Sequence, residues 1–212
     1  MASDADDRSR RHYFSDDPPS PSDPVAVDVA LPDVAFQMHT DRGVFSRGHL
    51  DVGTSLLLRA APPPTTTGDL LDLGCGAGPI ALAMALRAPG ATVWAIDVND
   101  RALRLTAANA RATGLTNVRT ARPDDVPAEV RFGTIWSNPP IRIGKPALRA
   151  LLLQWLVRLT PEGSSVMVVQ KHLGADSLQR WLGEEGFPTE RLASKSGFRL
   201  LRTSRNLPPP SQ

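Results

Sequence analysis

Four short, nearly continuous apolar runs recur along the chain: Leu70, Leu71 and Leu73; Ala91 to Ile96; Phe132 to Ser137; and Ser165 to Gln170. Runs of this length without alternation are the pattern of strands buried on both faces. Between them the apolar positions recur at helical spacing. Pro79 to Leu86 is a helix with proline in its first turn, and Asp100 to Thr113 places Ala102, Leu103, Thr106, Ala107 and Ala110 near one face. Pro146 to Thr160 carries a stripe of Leu148, Leu151, Leu152, Trp155, Leu156 and Leu159, with Pro161 to Gly163 as the turn that follows. Leu178, Trp181 and Leu182 mark one more helix, Thr54 to Ala60 a short one, and Asn117 to Thr120 a weak strand. Val25, Val27 and Val29 alternate with small or polar residues and are answered by Ala35 to Met38, a small N-terminal hairpin. Glu190 to Ser194 and Phe198 to Arg202, joined at Lys195 to Gly197, read as a closing hairpin. Strands alternating with helices predict an α/β fold, a mostly parallel sheet covered by helices on both faces.

A chain of 212 residues with 41% apolar content supports one α/β core. Residues 1–24, rich in Asp, Ser, Arg and then Pro, are expected to be disordered or loosely packed, 25–206 to form the domain, and 207–212 a loose tail. The net charge of +2 is carried almost wholly by arginine, the lysines being Lys145, Lys171 and Lys195. That balance permits an RNA partner without arguing for one. Cys75 is the only cysteine, which excludes an internal disulfide and a cysteine-cluster metal site, and no metal is expected. No run approaches the length that spans a bilayer, so a cytoplasmic monomer away from membranes is the expected state.

The candidate chemistry lies where the apolar runs end. Asp69 to Pro79 reads D-L-L-D-L-G-C-G-A-G-P, a strand, a tight turn at Gly74, Gly76 and Gly78, and a helix start. Glycine at alternate positions lets the backbone approach a flat cofactor, and Asp97, after the second run, is placed to accept from ribose hydroxyls. The alternative is a plain β-α turn with Asp97 capping the next helix. The loop around Asp124 would border a base. At the end of the fourth run, Asn138-Pro139-Pro140-Ile141 offers rigid acceptors, the Asn138 amide oxygen and the carbonyls of Asn138 and Pro139. Such a set can orient an exocyclic amine toward an electrophile, and otherwise ends a strand. Arg142 and Lys145 either place charge beside a nucleic-acid backbone or form a solvated loop. Asp41 to Thr54 is either a ligand lid or a cover on the sheet end.

These pieces together resemble the class I S-adenosylmethionine-dependent methyltransferases, and within them the small methyltransferase domain of the bacterial enzymes that methylate guanine N2 in small-subunit ribosomal RNA. The matching residues are Gly43 to Ser46 with Leu50 to Thr54, Leu71 to Gly78, Asp97 to Asn99, and Ser137 to Ile141 with Gly144 and Lys145. The resemblance implies a Rossmann-like seven-stranded sheet with an antiparallel last strand. It also implies S-adenosyl-L-methionine as cofactor, held by Asp72, Gly74, Cys75, Gly76, Gly78, Asp97, Val98, Asp124 and Asn138. The accepting amine would lie at Asn138 and Pro139, with Phe45, Ser46, Asp51, Pro140, Ile141, Arg142 and Lys145 toward an rRNA or small-subunit substrate. Gly133 stands where relatives carry Asp after Phe, which predicts a looser base of the fourth strand. Ile141 replaces an aromatic that many amino-methyltransferases stack on the target. Rival readings are methylation of another planar nitrogen, a protein glutamine amide or adenine N6, and a non-catalytic cofactor-binding assembly factor.

Overall fold

The computed structural model describes residues 21–44, 46–65 and 67–205. The N-terminal hairpin forms β1 (Val25–Ala30) and β2 (Ala35–Thr40), antiparallel with Val27 opposite Met38. The second arm runs two residues beyond the predicted Met38. The main sheet contains β3 (Asp69–Leu73), β4 (Val93–Ile96), β5 (Val118–Ala121), β6 (Phe132–Ser137), β7 (Leu159–Gln170), β8 (Thr189–Lys195) and β9 (Phe198–Ser204). Their order is β5-β4-β3-β6-β7-β9-β8, parallel from β5 to β7, with β9 antiparallel to both neighbours. The helices are α1 (Val52–Ala60), α2 (Pro79–Arg87), α3 (Asp100–Ala112), α4 (Lys145–Leu156) and α5 (Ala175–Glu184). This is the expected Rossmann-like sheet with its antiparallel last strand.

The unbroken apolar runs have a direct cause, since successive side chains of a strand point to opposite faces and both faces are covered. Leu70, Val93, Ala95, Trp136, Val166 and Val168 join one core with α1, α2 and the β1–β2 ribbon. Leu71, Leu73, Trp94, Ile96, Ile135, Met167 and Val169 join the other with α4 and α5. Asp72 interrupts this pattern, facing the α2 side while fully buried.

Three boundaries differ from the pattern reading. Helix α1 starts at Val52 because Asp51 caps it, its side chain accepting the Thr54 N–H at 2.9 Å. The chain leaves α4 at Leu156, so Leu159 joins β7 instead of the helix. Pro161 to Gly163 makes no turn between elements. It is absorbed as an irregularity within β7, whose pairing jumps from Phe132 with Leu159 to Thr134 with Ser164. The base of β6 is tight where a looser one was expected. A Cβ on Gly133 would lie 1.8 Å from the Thr67 carbonyl oxygen and 2.5 Å from Thr65 Cγ2, and the Thr65 N–H donates to Thr134 Oγ1 at 3.0 Å. The missing side chain lets Thr65 and Thr67 lie directly on the strand.

Of the terminal segments, 1–20 and 206–212 lie outside the described residues, as does Phe45. Ser22 and Asp23 are tied down, the Ser22 hydroxyl and the Asp23 N–H both donating to the buried Asp41 carboxylate at 2.8 and 2.7 Å. Arg191, Arg199 and Arg202 do not form a free basic edge. The first two meet Asp176 and the third meets Glu190, and Arg199 is itself buried.

Candidate active site

The chain begins its sheet at the centre with β3, winds outward through β4 and β5, and returns to β6 on the other side of β3. A crevice opens at the carboxyl ends of strands where such a reversal occurs. The glycine turn after β3, Asp97 after β4, the 122–125 turn after β5 and Asn138 after β6 all border it. Ser137 ties two of these ends together, its hydroxyl donating to the Leu73 carbonyl at 2.7 Å. Asn138 and Gly74 are therefore the next residues of adjacent strands.

The glycine turn is held from below and from the side. Gly74, Gly76 and Gly78 have φ of 79°, 56° and 89°, a region in which an L side chain is strained. The amides of Gly74 and Cys75 both donate to the Ile96 carbonyl at 2.9 Å. A Cβ on Gly74 would meet no atom within 4 Å, whereas one on Gly78 would strike Thr106 Cγ2 at 2.7 Å. Gly74 thus opens toward the crevice, and Gly78 lets α3 approach from behind. Cys75 contributes only backbone to the turn's outer surface. Its thiol is buried against Thr106, and burial, with the nearby Asp97 and Asp72 carboxyls, pushes it well above the usual thiol range.

Two residues of α3 support this turn: Thr106, which the pattern places near the apolar face, and Asn109, which it does not. Thr106 Oγ1 donates to the Gly76 carbonyl at 2.9 Å. The Asn109 amide donates to the Ala77 carbonyl at 2.9 Å and to the His39 carbonyl at 2.8 Å, and its oxygen accepts the His39 N–H at 2.8 Å. Asn109 therefore joins the β1–β2 ribbon to the glycine turn. A polar residue in a buried helical stripe was the available signal, since such a group must find partners.

Asp72 and Asp97 face the turn from its two sides. Asp72 Oδ2 accepts the Ala81 N–H at 2.9 Å, which satisfies one amide of the first turn of α2. Its Oδ1 is buried without a hydrogen-bond partner among the described residues. Burial pushes Asp72 up to about 8, opposed by the Ala81 N–H and reinforced by the Asp97 charge. Asp97 accepts the Gly76 N–H through Oδ2 at 2.9 Å and the Asn99 N–H through Oδ1 at 3.0 Å. Each oxygen retains a second lone pair for a ligand hydroxyl. Burial raises Asp97 despite the amides of Asn99, Gly76 and Val98. Val98 and Asp124 line a cavity of about 450 Å³ with Arg122, Pro123, Asp125, Leu151 and Gln154. An open backbone approach at Gly74, an unsatisfied buried carboxyl oxygen, a carboxylate at a strand end and this cavity are the chemical features that a nucleoside cofactor with an amino-acid tail requires.

At β6 the Asn138 amide is fixed on both sides. One N–H donates to Asp51 Oδ2 at 2.9 Å and the other to Thr54 Oγ1 at 3.0 Å. Its oxygen receives no hydrogen bond among the described residues. Asp51 Oδ2 thus serves the α1 cap and Asn138 at once. The Pro139 carbonyl, expected to be available, accepts the Ile141 N–H at 2.8 Å, because the turn closes on itself. Ser46 sits in a left-handed conformation with φ 64°, and its hydroxyl donates to the His49 carbonyl within its own loop. That loop is anchored to α3, since the Asn99 amide donates to the Gly43 carbonyl and Arg101 to the Arg42 carbonyl, both at 3.0 Å. Pro140 and Ile141 are half-buried beyond Asn138, and Arg142 and Lys145 are exposed.

A glycine-cradled crevice with an acid at the next strand end and an Asn-Pro-Pro turn opposite defines a nucleoside-cofactor transferase of the doubly wound class. The family model described as "Methyltransferase small domain" matches residues 35–202, and the chain belongs to that family, an S-adenosylmethionine-dependent methyltransferase. It is 34% identical to the uncharacterized protein YbxB of Bacillus subtilis strain 168, over 92% of this chain and 98% of that protein. It is 34% identical to ribosomal RNA small subunit methyltransferase C of Shewanella sp. strain MR-4, over 70% of this chain and 44% of the relative. The chain thus spans under half the length of that methyltransferase. The same sheet and helices recur in the Thermus thermophilus 16S rRNA N2 G1207 methyltransferase complexed with AdoMet and guanosine, with TM-score 0.76 and 24% identity over 89% of this chain and 52% of that one. Among the described residues no helix is long and apolar enough to cross a membrane.

Proposed function

We propose that the chain transfers a methyl group from S-adenosylmethionine to the exocyclic N2 amine of a guanine in small-subunit ribosomal RNA. The observation that carries this reading is the Asn138 amide, whose two N–H groups are spent on Asp51 and Thr54. The oxygen that remains can only accept, so it suits a substrate that donates. An exocyclic amine held by one N–H against that oxygen has its lone pair directed away from the acceptor. S-adenosylmethionine supplies a methyl carbon activated by its sulfonium. No strong base is required at the nitrogen, because the proton departs after the N–C bond has formed. Among the described residues the hydrogen-bond partners of the Asn138 side chain are Asp51 and Thr54 and include no His, Lys or Cys, and His172 lies exposed beyond the end of β7. The chain's contribution is positioning.

Asp72, Gly74, Gly76 and Asp97 would hold the methionine and ribose portions, with Val98 and Asp124 at the base. Asp51 and Thr54 act through Asn138 and are positioning residues. Guanine N2 and an rRNA substrate are drawn from the names of the Shewanella relative and the Thermus fold neighbour. Incubation of the protein with labelled cofactor and small subunits lacking their own methylation, followed by nucleoside analysis, tests the assignment. Label in N2-methylguanosine supports it. Label in another nucleoside, or in ribosomal protein alone, refutes it.

A further inference from the structure

A second concavity lies beyond the Asn-Pro-Pro turn, on the opposite side of the sheet from α1. It encloses about 140 Å³ between the turn at 141–143, α4, the turn at 171–173 and α5. Ile141, Leu148, Leu173 and Leu178 give it an apolar floor, and Lys145 and Arg149 stand at its edge. None of Asn138, Pro139 or the glycine turn lines it. It is therefore separate from the place where an amine would meet Asn138, and Ile141 is the residue between them.

Cations outnumber carboxylates in the segments that border it. No acidic residue occurs between Glu129 and Glu162, or between Glu162 and Asp176, while Arg142, Lys145, Arg149 and Lys171 fall in those stretches. Asp176, the next carboxylate, is taken by Arg191 and Arg199. Arg149 is held with its guanidinium 4.7 Å from the centre of the Trp181 ring, which presents a planar cation ready to bind phosphate oxygens. The 171–173 turn is fixed in place, since the Lys171 N–H donates to the Gly197 carbonyl at 2.8 Å.

An apolar slot bordered by cations next to an amine-accepting turn matches a nucleotide, with the base in the slot and the phosphate at the edge. Resting on the RNA reading above, we infer that this cavity takes the base of the nucleotide adjoining the target guanosine, with Lys145 and Arg149 on its phosphate. The protein then recognises a splayed dinucleotide step in single-stranded or opened RNA, and a single flipped base does not fill the site.

The test uses the full chain with fluorescent RNA oligonucleotides containing the unmethylated target guanosine, intact or with an abasic ribose at the 5′ or the 3′ neighbour, binding being read with S-adenosylhomocysteine and methylation separately with S-adenosylmethionine. One of the two abasic oligonucleotides should bind about tenfold more weakly than the intact one. Ser177→Trp, which fills the cavity from an incompletely buried position, should bind intact RNA as weakly as the wild type binds that abasic RNA, and should no longer distinguish the two. Equal binding of all three oligonucleotides by the wild type, with guanosine methylated in each, overturns this inference and leaves the RNA reading intact. Absence of both binding and methylation for all three overturns both. Ser177→Trp that retains wild-type discrimination also overturns the inference.

Discussion

Replacing Asp51 by alanine removes one oxygen that does two jobs. Asp51 Oδ2 accepts the Thr54 N–H at 2.9 Å and Asn138 Nδ2 at 2.9 Å. Loss of the cap costs about 1 kcal/mol, which in a chain of this size lowers Tm by about 2 to 4 °C. The second loss bears on turnover. With Thr54 Oγ1 alone holding the amide, Asn138 can rotate, and its NH2 can take the place of its oxygen opposite the substrate amine. Misplacement on that scale lowers kcat by about ten- to a hundredfold. The Gly76–Asp97 hydrogen bond, at the place proposed for the cofactor, is untouched, so the KM for S-adenosylmethionine should stay within about twofold by the same positioning argument. Asp51→Asn separates the two explanations, because its amide oxygen can accept both N–H groups and asparagine caps helices as well as aspartate does. The asparagine variant should recover most of the turnover and the stability. Steady-state kinetics on a methylated RNA, with thermal unfolding in parallel, supply both readouts. An alanine variant with wild-type kcat, or an asparagine variant as impaired as alanine, would refute the positioning argument.

Asp97→Ala strips the acceptor from the Gly76 and Asn99 amides and should weaken S-adenosylmethionine binding by about tenfold or more, measured calorimetrically. Asp72 makes the empty protein less stable as pH rises. Burial holds its folded pKa at about 8, above the ordinary carboxylate value of 3.8, so the native state holds a proton the unfolded chain has released, and stability falls from about pH 4 to pH 8. Asp72→Asn should flatten that decline in chemical denaturation series, and an unchanged pH slope would contradict the buried protonated carboxyl. Gly133→Ala should destabilise the fold by about 2 kcal/mol or more, since its Cβ would collide with the Thr67 carbonyl. A urea midpoint equal to wild type would show that Thr65 and Thr67 do not press on β6.

Legibility of the fold followed from double burial. Strands covered on both faces leave unbroken apolar runs, so β3, β4, β6 and most of β7 were visible, and proline marked the starts of α2 and α4. The errors fell where a local signal had a non-local resolution. Pro161 to Gly163 carries turn chemistry, yet the sheet continues through it because Leu159 pairs with Phe132. Gly133 looked like a missing side chain, and its significance depends on a segment 66 residues earlier lying against it.

The site divides in the same way. The glycine turn, Asp97 and Asn138 each sit at a strand end and could be placed by topology alone, whereas Asp72, within β3, came only with the family resemblance. What Asn138 does depends on Asp51 and Thr54, 87 and 84 residues away, and no spacing rule reaches across that distance. The same holds for Asn109, whose three hydrogen bonds span 70 and 32 residues to the ribbon and the turn.

The most direct test of the account compares Asn138→Ala with the wild type, measuring S-adenosylmethionine affinity and single-turnover methyl transfer to small-subunit RNA on the same preparations. Affinity within about threefold of wild type and transfer slowed by about a hundredfold or more are expected if Asn138 holds the accepting amine as proposed. Transfer at the wild-type rate would contradict it, as would a loss explained wholly by weaker cofactor binding.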